Sequence, residues 1–163
     1  KKAGIVIDFH ISALHQPLLE EMVASNVNLI KSIAPKYFDK LTNVVIDSAL
    51  KGRDMASIFQ HIKDLNKVTE RRAELIAIDQ TNKATQALNV MQTKDIGIKK
   101  GIWIHIPGEK SSRKTHIAMN GKTFDLDEGL YDEDVGRNVL PGELPYCRCD
   151  FRPDITELLT NEQ

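Results

Sequence analysis

Residues 103–153 read WIHIPGEKSSRKTHIAMNGKTFDLDEGLYDEDVGRNVLPGELPYCRCDFRP and contain both cysteines, the only tryptophan and two of the five histidines of the chain. The segment is rich in Gly, Pro and Asp, which favour turns over regular structure. It therefore buries little apolar surface of its own, and an additional interaction has to stabilise its shape. The residue types favour a bound metal ion for this role.

The two cysteines, Cys147 and Cys149, are separated by one residue. A disulfide across so small a ring would be strained, because the Cα atoms and Cβ vectors must meet narrow limits. In an extended segment the two side chains point to the same face, where both thiolates can bind one cation. Zinc favours four ligands drawn from Cys sulfur and His nitrogen. The predicted zinc ligands are His105, His116, Cys147 and Cys149.

The spacing leaves alternatives open. In common structural zinc sites the paired cysteines lie about two to four residues apart, and C-x-C departs from that pattern. Without a metal the two cysteines would be ordinary small buried residues. Asp150 or a water molecule can substitute for His105 as the fourth ligand. Arg113 and Arg148 are expected beside the ligands or beside an acidic loop.

Four ordered motifs in this segment resemble the signature of a known family: W-x-H, R-K-T-H-I-A-M-N-G-K-T-F-D, G-L-Y-D and P-G-E-L-P-Y-C-R-C. The family is that of the Mu F-type head morphogenesis proteins, the minor capsid proteins of tailed bacteriophages. The matching positions are Trp103, Arg113, His116, Gly121, Pro141, Gly142, Glu143, Cys147 and Cys149.

The resemblance implies a structural protein of a tailed phage or prophage, without catalytic or cofactor-binding residues. Such a protein belongs to the virion, near the portal vertex of the capsid, and to the host cytoplasm during assembly. Its implied partners are the portal or major capsid protein, in an oligomeric assembly, with a role in head assembly, DNA packaging or ejection. Weak, salt-sensitive contact with DNA is an open alternative.

Length and composition agree with a folded protein. The chain has 163 residues, 41% of them hydrophobic, and a net charge of −1, so it can bury a core and has no overall attraction to nucleic acid or anionic membranes. No apolar stretch of about 18 residues occurs, so no membrane span is expected. The start, KKAGIVIDFH, lacks an initiator Met and a signal-peptide cleavage site, and we expect it to lie within a longer protein.

Residues 17–94 carry apolar side chains at the spacing of amphipathic helices. Pro35 suits the first turn of a helix, Gly52 suits a helix end, and Asp54 and Thr69 are candidate N-caps. Four helices joined by short loops are expected to pack as a bundle.

Beyond Asp95 the pattern changes to alternating isoleucines, which predicts one or two strands. Gly97 and Gly101 are expected at turns or bulges, and Trp103 on the face opposite the isoleucines. Asn120 and Gly121 predict a hairpin turn. The fold class is therefore α+β. We expect an extended arm at residues 1–16, a helical region at 17–94, a β-rich lobe at 95–157 and a tail at 158–163.

Two charged groups have a second interpretation. Adjacent Arg71 and Arg72 can bind phosphate, although acidic neighbours favour a solvated helix start. An acidic run lacks the residue order of a Ca²⁺-binding EF-hand loop, which favours a solvated loop. The run comprises Asp125, Asp127, Glu128, Asp132, Glu133 and Asp134.

Two other functional classes fit parts of the pattern. Residues 1–100 carry 15 Lys and Arg against 11 Asp and Glu, so a zinc lobe beside a net-basic half would suit a zinc-dependent nucleic-acid-binding protein. A hydrolytic or toxin-like enzyme would use His116 as base with Glu109, Asp125 or Glu143 as acid, or a zinc-activated water. The H-x-E and P-C-x-x-C motifs of zinc deaminases are missing. We interpret the chain as a structural protein rather than an enzyme.

Overall fold

The computed structural model describes residues 15–52, 54–65, 68–107 and 112–160, which leaves nearly all of the predicted arm at 1–16 outside the described residues. Over this part of the chain the fold is α+β, as predicted. The helices are α1 (Gln16–Asn28), α2 (Phe38–Leu50), α3 (Met55–Asp64), α4 (Glu70–Asp95), α5 (Lys114–Met119) and α6 (Thr156–Thr160). The strands are β1 (Lys100–Ile104), β2 (Thr123–Asp125), β3 (Leu130–Asp132), β4 (Arg137–Val139) and β5 (Asp150–Pro153).

The ends of the long helices are set by the residues that the sequence singles out. The Asp54 side chain accepts a hydrogen bond from the Ser57 backbone N–H, and Thr69 accepts one from Arg72. Each bond satisfies an N–H that the first helical turn leaves without a partner. Gly52 follows α2 with φ of 87°, a conformation that glycine adopts without strain. The predicted caps are therefore confirmed.

Helices α1 to α4 pack around one apolar core, as predicted for a bundle. Each helix contributes side chains that are almost completely buried, and burial of each one stabilises the fold by about 1.5–3 kcal/mol. The largest contributors include Leu19, Val23, Val27, Leu41, Val45, Ile58, Ile62 and Ile76. No helix of the described residues combines the length and apolarity needed to cross a membrane.

The β-rich lobe contains an antiparallel sheet in the order β2-β1-β5 and a separate hairpin of β3 and β4. Trp103 is fully buried, whereas Ile102 and Ile104 on the other face of β1 are half-buried, so the predicted alternation is confirmed. Phe124 and Phe151 from the two neighbouring strands pack edge to face. The lobe core also contains Met119, Leu126, Val139, Leu144, Cys147 and Cys149.

Two local predictions are wrong. Asn120 and Gly121 do not close a β-hairpin, because the preceding residues form α5 and the pair turns the chain from that helix into β2. Gly121 has φ of 80°, and this left-handed conformation ends a helix as readily as it forms a hairpin turn. Gly101 lies inside β1 and pairs in continuous register with both neighbouring strands, rather than at a turn or bulge. A Cβ there would be 2.9 Å from the Phe151 ring, so the close packing of the sheet requires glycine.

Helix α4 lies between the two cores. Ala84 and Met91 are buried in the helical core, and Val90 packs against the core of the lobe. The helix therefore fixes the lobe to the bundle. At the other end of the lobe, the tail expected at residues 158–163 begins within α6, and Glu157 of that helix pairs with Lys100 of β1 at 3.0 Å.

Candidate metal centre

Three of the four predicted ligands meet inside the lobe. The His116 Nδ1 atom lies 3.3 Å from the Cys147 Sγ atom and 3.6 Å from the Cys149 Sγ atom. All three side chains are buried, and their ligand atoms lie within 4.8 Å of one another. They come from separate elements, since His116 belongs to α5 and the cysteines belong to the segment that leads into β5. The fold, rather than the local sequence, brings them together.

The spacing of these atoms matches a tetrahedral zinc site. With Zn–S bonds of about 2.3 Å and Zn–N bonds of about 2.1 Å, the sulfur and nitrogen atoms of a regular tetrahedron are about 3.6 Å apart. The measured distances of 3.3 and 3.6 Å between His116 and the two sulfurs lie at or near this value. These donors can therefore bind one ion with only small movements.

The sheet register brings His105 to the same place. Strands β1 and β5 are antiparallel and pair Ile104 with Asp150. His105, which follows Ile104, therefore lies beside Cys149, which precedes Asp150. The His105 Nδ1 atom is 3.6 Å from the Cys149 Sγ atom. His105 is outside the close group of three, however, and its side chain is only half-buried. It contacts the site at its edge, through Cys149 alone.

Asp132 supports His116 from the opposite side, a role that the sequence does not predict. The carboxylate is fully buried, and its Oδ2 atom lies 3.1 Å from the His116 Nε2 atom. A carboxylate can only accept, so the Nε2 atom carries a proton, and in the neutral ring the Nδ1 lone pair faces the sulfurs. Metal-binding histidines are commonly held by a carboxylate in this way. The interpretation of the acidic run as solvated is therefore wrong for Asp132.

The surroundings of the two sulfurs favour a thiolate at Cys147 and a thiol at Cys149. The Cys147 sulfur accepts hydrogen bonds from the Cys149 thiol and from the protonated His116 ring, and both lower the pKa of Cys147. The proton that Cys149 shares with Cys147 raises the pKa of Cys149. The hydrogen bond with Cys147 in turn raises the pKa of His116. Backbone N–H groups of Gly142 and Ile106 also act on the two sulfurs in the direction that favours the charged form. A metal ion would complete the deprotonation of both thiols.

Trp103 closes the site on one side. Its ring lies edge to face with the His116 ring, with centroids 5.4 Å apart. Among the described residues its indole N–H has no hydrogen-bond partner of good geometry, although it lies near enough to the Cys149 sulfur to offset part of the rise in the pKa of that thiol. A buried N–H without a partner is unfavourable. A thiolate at Cys149 would be a better acceptor for it than a thiol.

The other polar residues predicted near the site have different roles. Arg113 donates to the Pro145 backbone oxygen at 2.9 Å and so holds the loop before the cysteines. Asp150 accepts from Gln86 of α4 at 2.8 Å, which directs it toward the bundle. Arg148 is exposed. Glu109 lies outside the described residues.

Residues 39–152 match the family described as Phage Mu protein F like protein. The match covers more than half of the chain and includes every residue of the candidate metal centre. The chain belongs to this family. Membership relates the protein to bacteriophage heads and confirms the resemblance seen in the sequence motifs.

A relative from Haemophilus influenzae (strain ATCC 51907 / DSM 11121 / KW20 / Rd), described only as an uncharacterised protein, is 35% identical over 161 residues. The match covers 96% of this chain and 34% of the relative. The chain thus spans about a third of the relative's length. No solved structure matches the chain.

The contact between Asp132 and His116 generates a testable prediction. Asp132 accepts from the Asp134 backbone N–H at 3.0 Å as well as from His116, and an asparagine has one acceptor oxygen for these two donors. We expect Asp132→Asn to weaken Zn²⁺ binding by roughly 10- to 100-fold, as loss of such supporting residues commonly does. Competition with a chelating dye measures this affinity. The control is Glu133→Gln at the adjacent exposed position, and equal affinities for the two variants would contradict the role of Asp132.

Proposed function

We propose that the chain is the zinc-binding part of a structural minor capsid protein of a tailed bacteriophage or prophage. In this proposal His105, His116, Cys147 and Cys149 hold one Zn²⁺ ion, which has a structural rather than a catalytic role. The observation that carries the zinc assignment is the convergence of two buried sulfurs on one imidazole nitrogen at tetrahedral spacing. The head role rests on membership of the Mu F-like family.

A structural role fits the construction of the lobe. Its strands are three to five residues long, and its core includes both cysteines, so the ligand segment cannot be held by apolar packing alone. An ion bound by His105 just after β1, by His116 of α5 and by the cysteines before β5 would connect these three parts of the lobe. Folding of the lobe is then coupled to metal uptake. The resulting surface is available for contacts with the portal or major capsid protein.

One observation favours a second candidate function. The Cys147 sulfur, the His116 ring and the Asp132 carboxylate follow one another at 3.3 and 3.1 Å, which is the order of a thiol nucleophile, its base and the group that orients the base. The exposed fractions of these residues are 4%, 2% and 0%. A substrate therefore has no access to the sulfur, and the second thiol beside it is better explained as a metal ligand. We favour the non-catalytic role.

The four ligands are expected to differ in importance. Cys149→Ser should reduce bound zinc from about one ion per chain to nearly none, because a serine hydroxyl is a poor zinc ligand. His105→Ala should still bind zinc but release it to a chelator that the unchanged protein resists, because His105 contacts only the edge of the site and water can replace it. Elemental analysis before and after chelator treatment measures both effects. Full zinc content in Cys149→Ser would remove this residue from the ligand set.

The head role has its own test in a phage or inducible prophage that encodes the protein. Deletion of the gene should reduce the yield of DNA-filled particles, and the wild-type gene should restore it. Cys149→Ser should fail to restore it, whereas Glu133→Gln should succeed. Electron microscopy counts the filled heads, and mass spectrometry of purified particles detects the protein. Its absence from particles, together with a normal yield after deletion, would contradict the proposal.

A further inference from the structure

One face of α4 contacts the segment that carries the two cysteines. Arg72, Asp79, Asn82 and Gln86 are spaced by seven, three and four positions, so they lie in a line along the helix. Gln86 donates to Asp150 at 2.8 Å, at the end of the segment, and Asn82 has a longer contact of 3.5 Å with the Cys147 backbone oxygen. The helix thus contacts the ligand segment on both sides of Cys149.

The residue before Cys147 has an unusual conformation. Tyr146 has φ of 59°, and it is the only residue other than glycine with a positive φ in the described part of the chain. This region is unfavourable for a side chain with a Cβ atom, so surrounding contacts have to maintain it. The turn also brings the Cys147 N–H to the Leu144 oxygen at 3.0 Å. The backbone of Tyr146 therefore sets the direction in which Cys147 leaves the turn.

Both contacts that hold Tyr146 come from α4. The Tyr146 backbone N–H donates to Asp79 Oδ1 at 2.9 Å, and its phenol oxygen accepts from Arg72 at 2.8 Å. Asp79 is itself fixed by Lys83 one turn later, at 3.1 Å, and both side chains are largely buried. Arg72 also donates to Ser32 and so connects this turn to the chain after α1. Arg72 is therefore engaged within the protein, whereas Arg71 is exposed.

We infer that Asp79 is a positioning residue of the metal centre, which acts through the backbone of Tyr146 to direct Cys147 toward His116. This role rests on the proposed zinc site and extends it, because Asp79 belongs to a helix of the bundle. Asp79 touches no ligand atom. Its carboxylate holds the strained turn in the conformation that brings the sulfur to the imidazole. The metal centre and the bundle are then coupled, since the segment that binds the ion is held by the helix that packs in the core of the bundle.

The test is Zn²⁺ affinity, measured on the folded 163-residue chain by competition with a chelating dye. Asp79→Ala removes the acceptor for the Tyr146 N–H, and we expect Zn²⁺ to bind roughly tenfold more weakly, at the low end for supporting residues of metal sites. Asp79→Asn keeps an acceptor oxygen and should restore the wild-type affinity. Glu74→Ala changes an exposed acidic residue of the same helix and should leave the affinity unchanged. Circular dichroism confirms that each variant keeps its helical content.

Each outcome decides between the two proposals. If the unchanged protein takes up no zinc, the proposed site and the positioning role fail together. If it binds zinc and Asp79→Ala binds as tightly as Glu74→Ala, only the positioning role fails. If Asp79→Asn binds zinc as weakly as Asp79→Ala, the positioning role also fails. The side-chain oxygen that accepts from the Tyr146 N–H would then not account for the affinity. Should Asp79→Ala not fold, Asp79→Ser takes its place, because the shorter serine side chain no longer reaches the Tyr146 N–H. Zinc affinity in Asp79→Ser equal to that of Glu74→Ala then overturns the inference.

Discussion

The imidazole of His116 is the group on which the lobe depends. One ring nitrogen faces two sulfurs and the other faces the buried Asp132 carboxylate, so a single side chain joins α5, the end of β3 and the segment before β5. The interior of the lobe therefore contains a carboxylate, an imidazole and two thiols where larger domains place aliphatic side chains. Buried polar groups of this kind stabilise a structure only when each has its partner. In the proposed site a bound cation would be the common partner of both sulfurs and the imidazole.

The helical bundle and the lobe differ in what stabilises them. The bundle has a largely aliphatic core, and side chains cap the N-termini of α3 and α4. The lobe has short strands and turns that require left-handed backbone, including the one at Tyr146. Helix α4 contacts both parts. Its apolar side chains pack in the core of the bundle, and its polar side chains, such as Asp79 and Gln86, bind the segment that carries the cysteines. In a head protein a metal ion bound here would fix the position of the lobe relative to the helical bundle.

The sequence predicts those features that depend on residue type and local spacing. Caps such as Asp54 and Thr69 are local, and the chemistry of Cys and His limits the ligands to a few candidates. The partner of His116 could not be predicted, because Asp132 lies 16 positions away in an acidic run that looks solvated. The hairpin predicted at Asn120 and Gly121 is wrong for a related reason. The left-handed turn there suits a helix end and a hairpin equally, and only tertiary packing decides between them.

The most direct test of this account is X-ray absorption at the zinc edge on the purified chain with one equivalent of Zn²⁺ bound. A Zn²⁺ ion held by the four proposed ligands should have two sulfurs at about 2.3 Å and two nitrogens at about 2.0–2.1 Å in its coordination shell. Replacement of His105 should exchange one nitrogen for an oxygen and leave both sulfurs in place. A coordination shell of nitrogen and oxygen without sulfur would contradict the proposed zinc site, because Cys147 and Cys149 would then have no part in binding the ion.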